Sequence, residues 1–185
     1  MLNSIEDIRL PLQMIFDENG AGDTLTIWDQ YFIGSMDFRN VRSVSDTIAS
    51  VQEIRHVIVY IDDTKLNYDT RNGDGLDALR NLRDDLAEFH ITFEVFDYAS
   101  RRDHCNRIHG RYWLSGSLGF LMDGSLDGVG TNLCFAVTMD DSTFSKIQRV
   151  LEPKKEAYCR PIDLNTFRSR FSCQLAGQRN AGEAQ

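Results

Sequence analysis

The run "HVIVYID", His56 to Asp62, decides how the rest of the chain is read. Five apolar residues follow one another between a histidine and an aspartate, with no polar residue at alternate positions. A strand with one wet face alternates. A short unbroken apolar run suits a strand covered on both faces, as in a parallel sheet. Upstream, Phe38, Val41, Val44, Ile48, Val51 and Ile54 recur at helical steps, with Asp37 placed to cap the helix. Downstream, Leu76, Leu79, Leu82, Leu86 and Phe89 form a second helical stripe. Beyond these helices lie "TLTIWDQYF" and "ITFEVFDY", both rich in β-branched and aromatic residues, which predict strands. The order strand, helix, strand, helix, strand implies crossover connections and a mainly parallel sheet with helices on both faces.

The pattern then changes. "GRYWLS", "LGFLMDGS" and "NLCFAVTM" are strand-like runs with no helix between them, and they predict antiparallel neighbours. "DDSTFSKIQRVLE" predicts a helix opened by Asp141 or Ser142, with Phe144, Ile147 and Leu151 on one face and Pro153 as its stop. Met1 to Phe16 has helical spacing broken by Pro11, and reads as a short helix or an arm. The expected division is an arm or short helix over residues 1–22, an α/β domain over 23–152, and a basic, partly disordered tail over 153–185.

Net charge is −8, which argues against nucleic-acid binding by the whole surface. The charge is uneven. Lys154 to Gln185 carries six basic and three acidic residues, a net +3 that leaves the rest at −11. "RRDHCNRIHGR" is a second basic cluster, with Arg101, Arg102, Arg107 and Arg111 against Asp103. Either cluster is an anion-binding patch or a solvated loop. The four cysteines are scattered and fit neither a zinc site nor a disulfide framework, so they are read as thiols, with Cys134 as a core residue. No cofactor or metal is expected. No long apolar run or signal-peptide pattern is present, and a cytoplasmic location is the expectation.

The candidate chemistry lies in "RIHGRYWLSGSLGFLMDGSLDGVG", Arg107 to Gly130. On a strand, His109 and Arg111 would project from one face, so an imidazole and a guanidinium would meet one phosphate. Gly124-Ser125 adds a hydroxyl and open backbone N–H groups. Asp29 would stand at the carboxyl end of the first strand, the edge where open α/β sheets bind ligands. Neither a Walker nor a dinucleotide-binding glycine motif is present. The plainer reading is a hairpin whose glycines make turns.

These residues resemble the signature of the phospholipase D superfamily: His-x-Lys, then Asp, then Gly-Ser and often Asn. His109 takes the histidine place and Arg111 the lysine place. The aspartate place falls on Gly116, Gly124-Ser125 lies one residue late, and the asparagine place falls near Asp127 or Gly128. Over residues 23 to 152 the chain is also similar to the phospholipase D-like C-terminal domain of MIT-domain (microtubule-interacting and transport) proteins. Asp29-Gln30-Tyr31, Ile108-His109-Gly110-Arg111, Gly119-Phe120 and Gly124 to Asp127 carry that likeness; Gly110 stands where the family has Asp. The resemblance implies one phospholipase D-like half: a mostly parallel βαβαβ unit followed by antiparallel strands, which dimerises. It implies His109, Arg111 and Ser125 as the reacting or phosphate-holding groups, with Asp29, Tyr31, Arg107, Gly124 and Asp127 lining the site. The expected function is a degenerate phosphate-binding module for an anionic lipid or nucleic-acid phosphate, acting as a homodimer. The alternatives are a metal-independent phosphodiesterase with His109 as nucleophile, and a protein-interaction scaffold, for instance in a bacterial defence system.

Overall fold

The computed structural model describes residues 1–17, 22–32, 38–62, 75–98, 110–124, 126, 129 and 134–165. Strand β1 (Thr24–Trp28), helix α2 (Phe38–Ala49), strand β2 (His56–Ile61), helix α3 (Gly75–Glu88) and strand β3 (Thr92–Asp97) alternate as the apolar spacing predicts. β1 pairs parallel with β2, Leu25 opposite Val57, and β2 pairs parallel with β3, Val57 opposite Phe93. β2 is buried on both faces. Val57, Val59 and Ile61 join one core cluster, while Tyr60 and Ile58 join another on the opposite side.

The next three strands are antiparallel, as their runs without intervening helices predict, and together with a last edge strand they leave the sheet as a whole mostly antiparallel. Strands β4 (Arg111–Ser115), β5 (Leu118–Met122) and β6 (Ala136–Thr138) extend it antiparallel from β1. Strand β7 (Arg160–Pro161), which the sequence reading placed in a tail, pairs antiparallel with β3 at the far edge. The order is β6-β5-β4-β1-β2-β3-β7, and most neighbours are antiparallel. The physical reason is connection length. A two-residue turn, Gly116-Ser117, joins β4 to β5, and only an antiparallel pair closes over so short a link.

Helices cover both faces. Helix α1 (Arg9–Asp17), the 3₁₀ turn Ile5–Ile8 before it, α2 and α3 pack on the face of Leu25, Val59, Trp113 and Phe120. Helix α4 (Asp141–Tyr158) packs its Phe144 and Leu151 on the other face, against Trp28, Tyr60 and Leu114. There Trp28 stacks on Tyr60 with ring centroids 4.0 Å apart.

The N-terminal segment is integral to the core rather than an arm: Leu2, Ile5, Ile8, Leu12, Ile15 and Phe16 are all buried. Pro11 is the third residue of α1, where the backbone N–H has no partner within the helix, so it does not break the turn. The Asp7 carboxylate closes the entry by accepting from the N–H groups of Asn3 and Ser4 at 2.6 and 3.1 Å.

Four further expectations are corrected. Pro153 does not stop α4, which runs on to Tyr158; its position is exposed, so water can serve the carbonyl that loses its donor. The cap of α4 is Asp140, not Asp141 or Ser142, and its carboxylate accepts from Thr143 N–H at 2.7 Å. Phe89 lies past the end of α3 and is 40% exposed, with Arg42 over its ring at 5.6 Å. Residues 159–165 are likewise no tail: Ile162 and Leu164 are buried, and Arg80 Nε donates to the Leu164 carbonyl at 2.7 Å. Cys134 is buried and Cys159 half-buried, both as thiols. Asp37, the loop 63–74 and residues 166–185 lie outside the described residues.

Candidate functional site

β1, β2 and β3 run the same way, so their carboxyl ends share one edge of the sheet. An aspartate stands at each end: Asp29 just after β1, Asp62 just after β2, and Asp97 as the last residue of β3. The ladder continues past the strands, with Asp29 N–H donating to the Tyr60 carbonyl at 3.1 Å and Tyr98 N–H to the Ile61 carbonyl at 3.0 Å. Because β4 runs antiparallel to β1, its first residue, Arg111, arrives at this same edge.

The chain turns sharply after β1. The Asp29 carboxylate accepts from Tyr31 N–H at 2.9 Å, and the Asp29 carbonyl accepts from Phe32 N–H at 3.2 Å. This turn is the local bonding that short acidic side chains favour. Phe32 anchors it, fully buried edge-on to Trp113. Asp29 is 1% exposed, and a carboxylate so placed needs a compensating charge. Arg111 supplies one, its Nε 3.6 Å from Asp29 Oδ1.

Arg111 is held from three sides. Asp29 lies behind it, the Tyr31 ring lies 5.8 Å from its Cζ, and its Nη1 donates to the Asp123 carbonyl at 3.1 Å. Its side chain is 19% exposed. The ion-pair distance exceeds hydrogen-bond reach, and Arg111 Nε is buried without a hydrogen bond among the described residues. The turn carrying Asp123 is itself fixed: the Asp123 carboxylate accepts from Phe135 N–H at 3.0 Å, and Asp123 N–H donates to the Phe135 carbonyl at 3.2 Å.

The field at this edge is acidic. Burial first, then the carboxylates of Asp62, Asp29 and Asp97, push the Tyr98 phenol far above its ordinary range. Among the described residues no group of three His, Cys, Asp or Glu side chains is arranged to hold a metal.

Of the residues singled out in the sequence, Asp29, Tyr31 and Arg111 meet here. Gly124 follows Asp123, but its lack of a side chain has a packing cause: a Cβ there would run into the Cys134 sulfur. Gly110 has a similar cause, since a Cβ there would overlap the Tyr112 ring. Arg107, His109, Ser125 and Asp127 lie outside the described residues. Asp62, Asp97, Tyr98 and Asp123 were not singled out. The signal for the first two was present: "WD", "ID" and "FD" each put an acid where an apolar run ends.

No helix among the described residues is long and apolar enough to cross a membrane. Comparison of the sequence with protein-family models and with curated proteins finds no match.

Proposed function

We infer that the chain is a phospholipase D-like half that binds a phosphate-type oxyanion at the carboxyl edge of its parallel strands. Arg111 is the cationic contact, and the unit acts as a homodimer. The observation that carries this reading is the guanidinium itself: seated beside a buried carboxylate at the carboxyl edge of an α/β sheet, where such sheets bind ligands, with Nε lacking a hydrogen bond among the described residues. The parallel centre, the antiparallel β4 to β6 and the cover of helices on both faces also fit such a half.

The neighbouring carboxylates set the character of the binding. Asp29 opposes Arg111 with Asp62 and Asp97 near, so the edge holds a single oxyanion weakly and disfavours polyanions that would press along its acids. Asp29 orients the guanidinium, as a buried acid behind a cation does. The family resemblance would give His109 and Ser125 the remaining contacts to the phosphate. By the same resemblance, Arg107, Gly124 and Asp127 would share with Asp29 and Tyr31 the lining of the site.

The test is calorimetric titration of pure protein with inorganic phosphate at two salt concentrations. Binding should weaken as salt rises, and Arg111→Gln should abolish it, while Arg111→Lys retains part. Binding unchanged in Arg111→Gln would refute the assignment. Cleavage of a bis-aryl phosphate that is lost in His109→Ala would replace the binding module by the phosphodiesterase.

A further inference from the structure

The residues that α4 turns to the sheet depart from the usual pattern for such a helix. Phe144, Gln148, Leu151 and Lys155 follow one another at steps of four, three and four, so they form one stripe. Phe144 and Leu151 are buried in the cluster with Trp28, Tyr60 and Leu114. A stripe packed on a sheet is ordinarily apolar along its length, yet Gln148 and Lys155 hold two of its places. β1 matches this. Its side chains alternate, so Leu25 and Ile27 enter the α1 face, fully buried, while Thr24, Thr26 and Trp28 face α4. Thr24 and Thr26 are only half-buried there.

Between these polar positions lies a cleft of about 200 Å³, walled by Thr26, Trp28 and Leu114 on the sheet and by Gln148, Glu152 and Lys155 on α4. A cavity of about 150 Å³ admits benzene, so this one has room for a small organic molecule. The Trp28 indole is its floor, since Tyr60 stacks on that ring and does not line the cleft. Trp28 Nε1 is buried with no hydrogen-bond partner among the described residues, and a buried N–H in that state calls for an acceptor. At the mouth, Lys155 Nζ and Glu152 Oε1 form an ion pair at 2.9 Å, their side chains 30% and 56% exposed.

We propose that this cleft binds a free α-amino acid as its zwitterion. Covalent geometry holds the ammonium nitrogen and a carboxylate oxygen of such a molecule about 3 Å apart, which matches the 2.9 Å of the Lys155–Glu152 pair. The carboxylate meets Lys155 and the ammonium meets Glu152, so each charge gains a partner of opposite sign. Trp28 Nε1–H supplies a second donor to the carboxylate, and a small apolar side chain lies against Leu114 and Leu151. A singly charged ligand fits less well. An anion at Lys155 would also face Glu152, and a cation at Glu152 would also face Lys155. The site shares no residue with the carboxyl edge and does not rest on the anion reading.

The experiment is calorimetric titration of the full chain with each standard amino acid, then with the amide and the N-acetyl derivative of any that binds. At least one amino acid should bind saturably, and blocking either of its charges should weaken it about tenfold or more. Lys155→Met and Glu152→Gln should each weaken it to a similar degree. Both alter part-exposed members of a surface ion pair, which contributes little to the fold. Trp28→Phe keeps an aromatic ring against Tyr60 while removing the N–H, and should weaken binding as well. No saturable binding by any amino acid overturns the proposal. So does binding that the blocked derivatives match, or that any of these three variants leaves unchanged.

Discussion

Asp29 shows how far a single residue could be understood before its surroundings were known. Its place at the end of an apolar run made it a carboxyl-edge residue, and that is where it stands. Its partner was less visible, because Arg111 lies 82 positions away in the chain and reaches Asp29 only through the antiparallel return of β4. The glycines were harder still. Sequence alone could not tell a turn glycine from one excluded by a neighbour. Gly119 is of the second kind: a Cβ on it would lie 2.6 Å from Leu114 Cδ2 and 2.8 Å from the Trp113 carbonyl oxygen. The carbonyl belongs to the paired strand and cannot turn aside. Gly119→Ala should therefore destabilise the fold by about 1–3 kcal/mol, measured by urea denaturation. An unchanged midpoint would mean that β4 and β5 can separate locally at little cost.

At the scale of elements, long periodic segments were legible and their ends were not. The stripes of α2 and α3 and the strands β1 to β5 follow from spacing, since a side chain's face is fixed by its position. The short strand β7 was missed because two residues carry no period. Helix α4 was cut short because proline was taken as a stop, whereas an exposed proline only removes one hydrogen bond and can be tolerated if the far side of the helix is held. Leu151 buries just before it, and Lys155 lies over the Tyr60 ring just after it, at 5.7 Å. Restoring that bond should help. Pro153→Ala should raise stability by up to ~3 kcal/mol, visible as a higher melting temperature. A lower one would show that proline's restriction of the unfolded chain outweighs its cost in the helix.

Across the whole molecule, tyrosines sit where the two layers meet the sheet. Burial raises the Tyr60, Tyr98 and Tyr112 phenols above their ordinary value, with nearby acids adding to the effect at Tyr60 and Tyr98. An unfolded chain loses these protons near pH ~10. Above that pH the unfolded state binds fewer protons than the folded one, so stability falls as pH rises toward the folded values; below it these groups leave stability unchanged. Ultraviolet titration should show the native protein ionising fewer of its six tyrosines near pH 10 than the urea-unfolded chain does. Superimposable curves would contradict the burial of these rings.

The whole-molecule view also explains why the N-terminal segment is a packed helix and residues 153–165 are part of the fold. Leu2 to Phe16 and Ile162 to Leu164 bury apolar side chains at opposite edges of the sheet, and a division drawn from composition could not see burial that depends on distant partners. What joins all scales is the edge where β1, β2 and β3 end and β4 begins. Its direct test is a crystal of the protein soaked in tungstate, with the tungsten located by anomalous scattering. A tungstate within hydrogen-bond reach of the Arg111 guanidinium, absent in Arg111→Gln crystals, is the predicted result. Tungstate bound only elsewhere, with the Arg111–Asp29 pair untouched, would contradict the claim that this edge holds a phosphate.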